Sequence, residues 1–365
     1  MPVEPWGISE GPDGNVWFTE ARANRIGRIT PRGGITEFPI PRRGSPTDIT
    51  CGADGNLWFS WSEAGGSNVY ALGRVHTSGE ITLFETPIGL APQQLTSGPD
   101  GAIWYATVGG IGRFDPINWS FEAFSPKRDV EPWGITTGPD QNLWFTILLE
   151  PAVGRLTAAG DVGYFQAPAP TLGGIAAGPD GNLWFPVYGP GPTPADIARI
   201  VRMTPAGAVV SDFVVRFPTA LPYAITTGPD GNVWFREQEI GSIGRVTPAG
   251  SIIDVLLPSG RSGRPQFITS AADGNLWFTE PWLDRIGRIT PNGEVTEFSI
   301  RGYPWSSSAW RRPSEAIQRT WMAATRSADE SRRRVARRPR DWQRARLDPE
   351  GEGGQADEAP GAYGG

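Results

Sequence analysis

The side chains with the widest chemical reach are scarce in this chain. Its 365 residues include one histidine, His76, and one cysteine, Cys51. Imidazole is the usual base at neutral pH, so any such chemistry would rest on one position, and a His-rich metal site is excluded. Cys51 has no partner for an internal disulfide. Arginine, by contrast, recurs within one short string: Ile26-Gly27-Arg28 returns as Leu72-Gly73-Arg74, Ile111-Gly112-Arg113, Val153-Gly154-Arg155, Ile243-Gly244-Arg245 and Ile286-Gly287-Arg288. On a third strand these guanidiniums are expected to pair with fourth-strand carboxylates such as Glu37 and Glu297. Separate rim pairs of that kind do not make one site.

The arginines recur because the whole chain repeats. A tryptophan preceded by a tight turn stands at Trp17, Trp58, Trp104, Trp144, Trp184, Trp234 and Trp277, with spacings of 41, 46, 40, 40, 50 and 43 residues. This is the period of propeller blades. Within the first copy, residues 7–10 read as an inner strand and Asp13-Gly14 as the turn. Residues 15–20, 25–30 and 34–40 complete a four-stranded unit rich in aromatic and β-branched side chains. The Asp-Gly pair returns in five of the other copies, and Asp140-Gln141 is the departure. An all-β, seven-bladed β-propeller of four-stranded antiparallel blades is therefore expected over 1–301. Each blade is complete in sequence, so the ring closes by packing between the first and last sheets. Alternation sends Trp17 and Phe18 to opposite faces, toward the two neighbouring blades. Insertions at Ser62 to Asn68 and Gly189 to Ala195 lengthen two loops.

Composition agrees with many short strands and turns: 48 Gly, 36 Pro and 16 Trp. No apolar run approaches the roughly 20 residues that cross a bilayer, no signal-peptide pattern opens the chain, and a cytoplasmic monomer without membrane partners is expected. Residues 1–300 carry 20 basic and 30 acidic side chains, the remainder 13 and 9. An acidic propeller disfavours nucleic acid as a partner. Residues 302–365, Arg-rich and then acidic and Gly-rich, read as a disordered tail.

The consensus running through Gly11-Pro12-Asp13-Gly14-Asn15-Val16-Trp17-Phe18-Thr19-Glu20 and Ile286-Gly287-Arg288-Ile289-Thr290-Pro291 resembles the streptogramin (virginiamycin B) lyase family over residues 3–301. The resemblance implies Mg²⁺-assisted elimination that opens the lactone of type B streptogramins, with a histidine taking the proton. It also assigns positions: the family's substrate-binding His falls on Tyr223, its Glu-Pro-His on Arg264-Pro265-Gln266, and its further Glu near Glu280. Neither imidazole is present. A match shifted by blades suits the acids alone, since Glu4-Pro5-Trp6 and Glu131-Pro132-Trp133 echo Glu-Pro-His and Glu20 follows Trp17-Phe18. Glu4 and Glu20 are then the candidate Mg²⁺ ligands.

What remains around the expected mouth is Trp6, Gln93, Trp133, Tyr223 and Gln266, aromatic and amide groups suited to a small or peptide-like ligand. The expectation is a lyase-like propeller that binds such a ligand without the family's base. The alternatives are an active Mg²⁺-dependent lyase and an NHL-like protein-interaction propeller.

Overall fold

The structure is a computed structural model. It describes residues 2–300 except 66, 88–89, 126–129, 172, 191–195, 218–220 and 238, and the side chains of 190, 196 and 197 also fall outside it. The residues read as a tail, and most of the second insertion, therefore lie outside the described part.

Seven four-stranded antiparallel sheets make up the described chain, each with its strands in sequence order. Blade one runs through Pro5–Glu10, Val16–Glu20, Arg25–Ile29 and Ile35–Pro39. The later blades repeat it, and the helical residues among those described are two short 3-10 turns, Gly260–Ser262 and Pro281–Leu283. No strand is exchanged between sheets. Every second strand is buried along most of its length because it is sandwiched on both faces, whereas the fourth strands alternate toward solvent.

The core is divided accordingly. Trp17 packs with Phe59 of blade two, and Phe18 packs with Trp277 of blade seven. The same Trp-to-aromatic pairing joins Trp58 to Tyr105, Trp104 to Phe145, Trp144 to Phe185, Trp184 to Phe235 and Trp234 to Phe278. Period-two alternation thus places one ring of each Trp-Phe pair in each flanking interface. The interface between blades seven and one is built like the other six, and it closes the ring.

Polar contacts reinforce this closure. Asp284 takes the amides of Val3 and Glu4 at 2.8 and 2.9 Å, just as Asn24 takes the amide of Gly44 at the first interface. Both turn residues sit at positive φ, 49° and 54°. Asn and Asp tolerate that conformation and present a short acceptor there.

The Gly-Pro-Asp-Gly-Asn string is structural throughout. The turn aspartate accepts the indole N–H of its own tryptophan in all seven blades, at 2.9–3.3 Å. A Cβ on Gly11 would lie 2.4 Å from the Trp17 ring, and Gly14 takes φ 70°. Partial burial works against ionisation of Asp13, Asp180 and Asp230, but the Trp and Asn donors hold these carboxyls below their ordinary range.

The expected partnership of the Gly-Arg arginines with fourth-strand carboxylates holds at Arg113, which pairs with Glu122, and is corrected for Glu37 and Glu297. It is Arg25 and Arg285 that pair with Glu37 and Glu297. Gly27 stands opposite Glu37, so Arg25, two residues earlier, shares that face. Arg28 alternates to the other face, opposite Trp17, and its guanidinium lies 5.4 Å from the indole centroid.

Candidate functional site

The inner strands of the blades bring equivalent residues to one end of the ring. Thr19, Thr146 and Thr279, on second strands, donate their hydroxyls to the carbonyls of Thr47, Gly173 and Trp6 on the next blade, at 2.6, 2.6 and 2.7 Å. The same hydroxyls accept from Gly7, Gly134 and Phe267, the residues that follow Trp6, Trp133 and Gln266. Trp6, Thr47, Trp133, Gly173 and Gln266 therefore share one structural position. Approach here is close, since a Cβ on Gly7 would fall 2.5 Å from the Thr47 carbonyl oxygen.

Two of the expected mouth residues meet directly. A side chain at Gly173 would start 2.2 Å from the Tyr223 carbonyl oxygen, so blade five contributes none. Across that gap Trp133 of blade four packs edge-on to Tyr223 of blade six, with ring centroids 5.9 Å apart. Beneath Tyr223 lies Arg236, 1% exposed, its guanidinium 4.6 Å from the phenol centroid. Burial lowers the Arg236 pKa to about 10, leaving it cationic at neutral pH, and drives the Tyr223 phenol well up. Arg236 occupies the register of the bridging threonines. The repeat alone did not single it out, although an arginine in place of that threonine was a readable departure.

Gln93 and Trp6 are half-buried and Gln266 is buried. Trp6 lies 6.5 Å from the ring of Phe267, which follows Gln266. The Gln93 Oε1 and the Trp133 Nε1 are buried with no hydrogen-bond partner among the described residues. Such groups are uncommon in native structures and mark a place where something else completes the bond.

The acids are deeper than the sequence suggested. Glu20, Glu237 and Glu280 end their second strands fully buried, and Glu4 is 4% exposed. Burial raises Glu237 and Glu280 to about 7, against the opposing hydrogen bonds from the Ser242 and Ser259 hydroxyls. Glu4 is also raised by burial, opposed by Arg22, whose guanidinium lies 3.6 Å away. Glu4 and Arg264 both stand at positive φ, 52° and 44°, ahead of Pro5 and Pro265, so they are structural counterparts. Arg264 is exposed and reaches Glu239 at 4.0 Å. Among the described residues no group of three or more His, Cys, Asp or Glu is placed to hold a metal. Two carboxylates, one beside a guanidinium, do not fit a closed six-oxygen cation site. His76 is exposed on the turn after the third strand of blade two, its Nδ1 2.8 Å from the Ser78 hydroxyl.

A cleft of about 310 Å³ opens at the other end of the blades, between blades three and four, lined by the Asp100 turn and the Thr157 turn. It shares no residue with the inner-strand position.

Comparison with known proteins follows the same outline. The family model described as the virginiamycin B lyase family matches residues 2–117, 94–191 and 122–304. Curated virginiamycin B lyases of Bordetella parapertussis and Bordetella bronchiseptica are 49% identical over 47 residues, 13% of this chain and 16% of those proteins. The local match thus spans about a sixth of the curated relatives. A solved streptogramin B lyase is 30% identical, with 79% of this chain and 93% of that chain covered and a TM-score of 0.68. Hydrazine synthase of Kuenenia stuttgartiensis, at 14% identity and TM-score 0.67 over 80% of this chain and 97% of its own, shares the fold alone. With the family model spanning nearly the whole propeller, the chain belongs to the virginiamycin B lyase family.

Proposed function

We propose that this family member binds a small or peptide-like ligand at the inner-strand mouth and does not open a lactone by the histidine route. One observation carries the reading. Gln93 Oε1 and Trp133 Nε1, at equivalent positions on adjacent blades, are an acceptor and a donor buried without partners among the described residues, and Trp133 belongs to the aromatic pair with Tyr223. An amide- and ring-bearing ligand satisfies both kinds of group. The seven equivalent positions read Trp6, Thr47, Gln93, Trp133, Gly173, Tyr223 and Gln266, with no imidazole among them. A bound Mg²⁺ would draw most of its oxygens from ligand and water, with Glu4 and Glu20, the carboxylates of the blade-shifted match, as its candidate protein ligands.

Calorimetric titration with virginiamycin B tests the reading. Saturable binding that Gln93→Leu weakens is expected; no saturable heat, or binding unaffected by Gln93→Leu and Trp133→Ala, overturns it.

A second reading, residual lyase activity, has one observation in its favour. Glu280 stands near the position of the family's further Glu with its carboxyl raised to about 7, which is suitable for a general base. It is, however, fully buried and engaged by Ser259.

A further inference from the structure

Four departures from the repeat converge on the cleft between blades three and four. At five interfaces the third-strand arginine opposite the blade tryptophan, preceded by glycine except at Val201-Arg202, bridges to a carbonyl in the following blade's third turn: Arg28 to Thr77, Arg155 to Pro205, Arg202 to Pro248, Arg245 to Pro291 and Arg288 to Pro31. At the interface between blades two and three, Arg74 instead covers the added ring of Trp119. Arg113 of blade three does neither. Its guanidinium holds Asp100 at 2.8 Å, as Arg202 and Arg245 hold Asp180 and Asp230, but turns its remaining arm to Glu122 at 3.0 Å, leaving the Ala158 carbonyl, the counterpart of those turn acceptors, without it.

The local sequence explains the swing. Glu122 stands opposite Arg113 in the register where blades one, two and seven carry Thr36, Thr82 and Thr296. Ala102 replaces the asparagine whose amide holds the turn aspartate elsewhere, as Asn15 holds Asp13 and Asn182 holds Asp180. Gln141 replaces the turn glycine, and Ala158 the proline found in five of the other six turns.

The interface is correspondingly open. A Cβ on Gly160 would stand 3.5 Å from Phe124, and one on Gly293 3.4 Å from the smaller Val255, where the matching glycines Gly33, Gly79, Gly207 and Gly250 press to 2.0–2.5 Å on Phe298, Phe38, Phe165 and Phe213. Trp104 is 5% exposed while the other six blade tryptophans are 0%.

We propose that this cleft binds a small organic cation with a flat apolar body, of the aryl amidine or guanidine class. Arg113 covers the Trp104 ring at 5.7 Å but not Phe124, which the matching arginines Arg28, Arg155 and Arg288 cover at Phe38, Phe165 and Phe298, and the open Phe124 ring accepts the ligand's flat body. The two lining carboxylates, Asp100 and Glu122, outnumber Arg113, and Glu122 is half exposed at 51%. Together with the uncovered Ala158 carbonyl they offer the cation charge-assisted acceptors. The volume matches the small end of ligand sites, about 300 Å³. The incoming cation takes the bridging place that Arg113 has left.

Benzamidine and its neutral counterpart benzamide test this in the full-length chain, followed by the Trp104 indole N–H resonance. Benzamidine is expected to shift that resonance and to bind about tenfold more tightly than benzamide. Glu122→Thr, which installs the residue of blades one, two and seven, should remove that preference without lowering the melting temperature; Glu122→Gln serves if it does not fold. Equal binding of the two probes, an unmoved Trp104 resonance, a shift at Trp133 instead, or unchanged affinity in both variants would overturn the proposal.

Discussion

The hydroxyl of Thr279 donates to the carbonyl of Trp6 at 2.7 Å, joining the last blade to the first across 273 residues of sequence. Thr19 makes the same bond from blade one to blade two, so the ring closes through a contact already used inside it. Thr279→Val keeps the shape and removes the donor. It should cost about 1–2 kcal/mol, and Thr19→Val about the same. Urea unfolding checks this; a loss at Thr19 without one at Thr279 would show that closure does not depend on the bond.

Stability should fall as pH rises through neutrality. Burial raises Asp48, Glu237 and Glu280 to about 7, with the Leu95 and Ile49 amides opposing it at Asp48 and serine hydroxyls at the two glutamates. A raised folded-state value means that the native protein holds these protons where the unfolded chain has released them. The contribution is complete below about pH 4 and is lost as pH climbs past about 7, each shift being on the order of 3 kcal/mol. Melting temperature should therefore drop between about pH 4.5 and pH 7.5 and level off above that, and Glu280→Gln should lessen the drop. A flat profile in the wild type would contradict the burial of these acids.

Gln141 takes φ 60° at the turn position that glycine holds in the other blades. Gln141→Gly should stabilise the protein by about 1 kcal/mol, because glycine adopts this conformation without a Cβ penalty. Denaturant midpoints of the two proteins decide it.

At the mouth, Trp133→Ala removes both a ring and an unpaired indole donor, and Tyr223→Ala removes its edge-on partner. Each should weaken virginiamycin B binding about tenfold or more, as truncation of a buried aromatic anchor does. Retained circular dichroism would confirm an intact fold. His76→Ala, on its exposed turn, should leave affinity unchanged.

The blades, their number and the facing of Trp17 and Phe18 were legible because a period of about 40 residues and alternation of side chains are properties of sequence order alone. The arginine partners were misread for a related reason: Arg25 and Arg28 lie three residues apart and point to opposite faces, which matters only once the register against Glu37 is known. The mouth was legible as a list of positions but not as contacts. That Trp133 reaches Tyr223 depends on Gly173 being pressed against the next strand, and the depth of Glu237 and Glu280 depends on both neighbouring sheets. The cleft at Arg113 arises from four small departures that look unrelated until the fold brings them together.

The most direct test of the central claim is incubation of the purified protein with virginiamycin B and Mg²⁺, followed by liquid chromatography with fragmentation mass spectrometry, since ring opening by elimination leaves the mass unchanged. The account predicts that the intact ring persists at the rate of the protein-free control. Accumulation of the linear product above that control would contradict it, and loss of that product in His76→Ala would restore the histidine route.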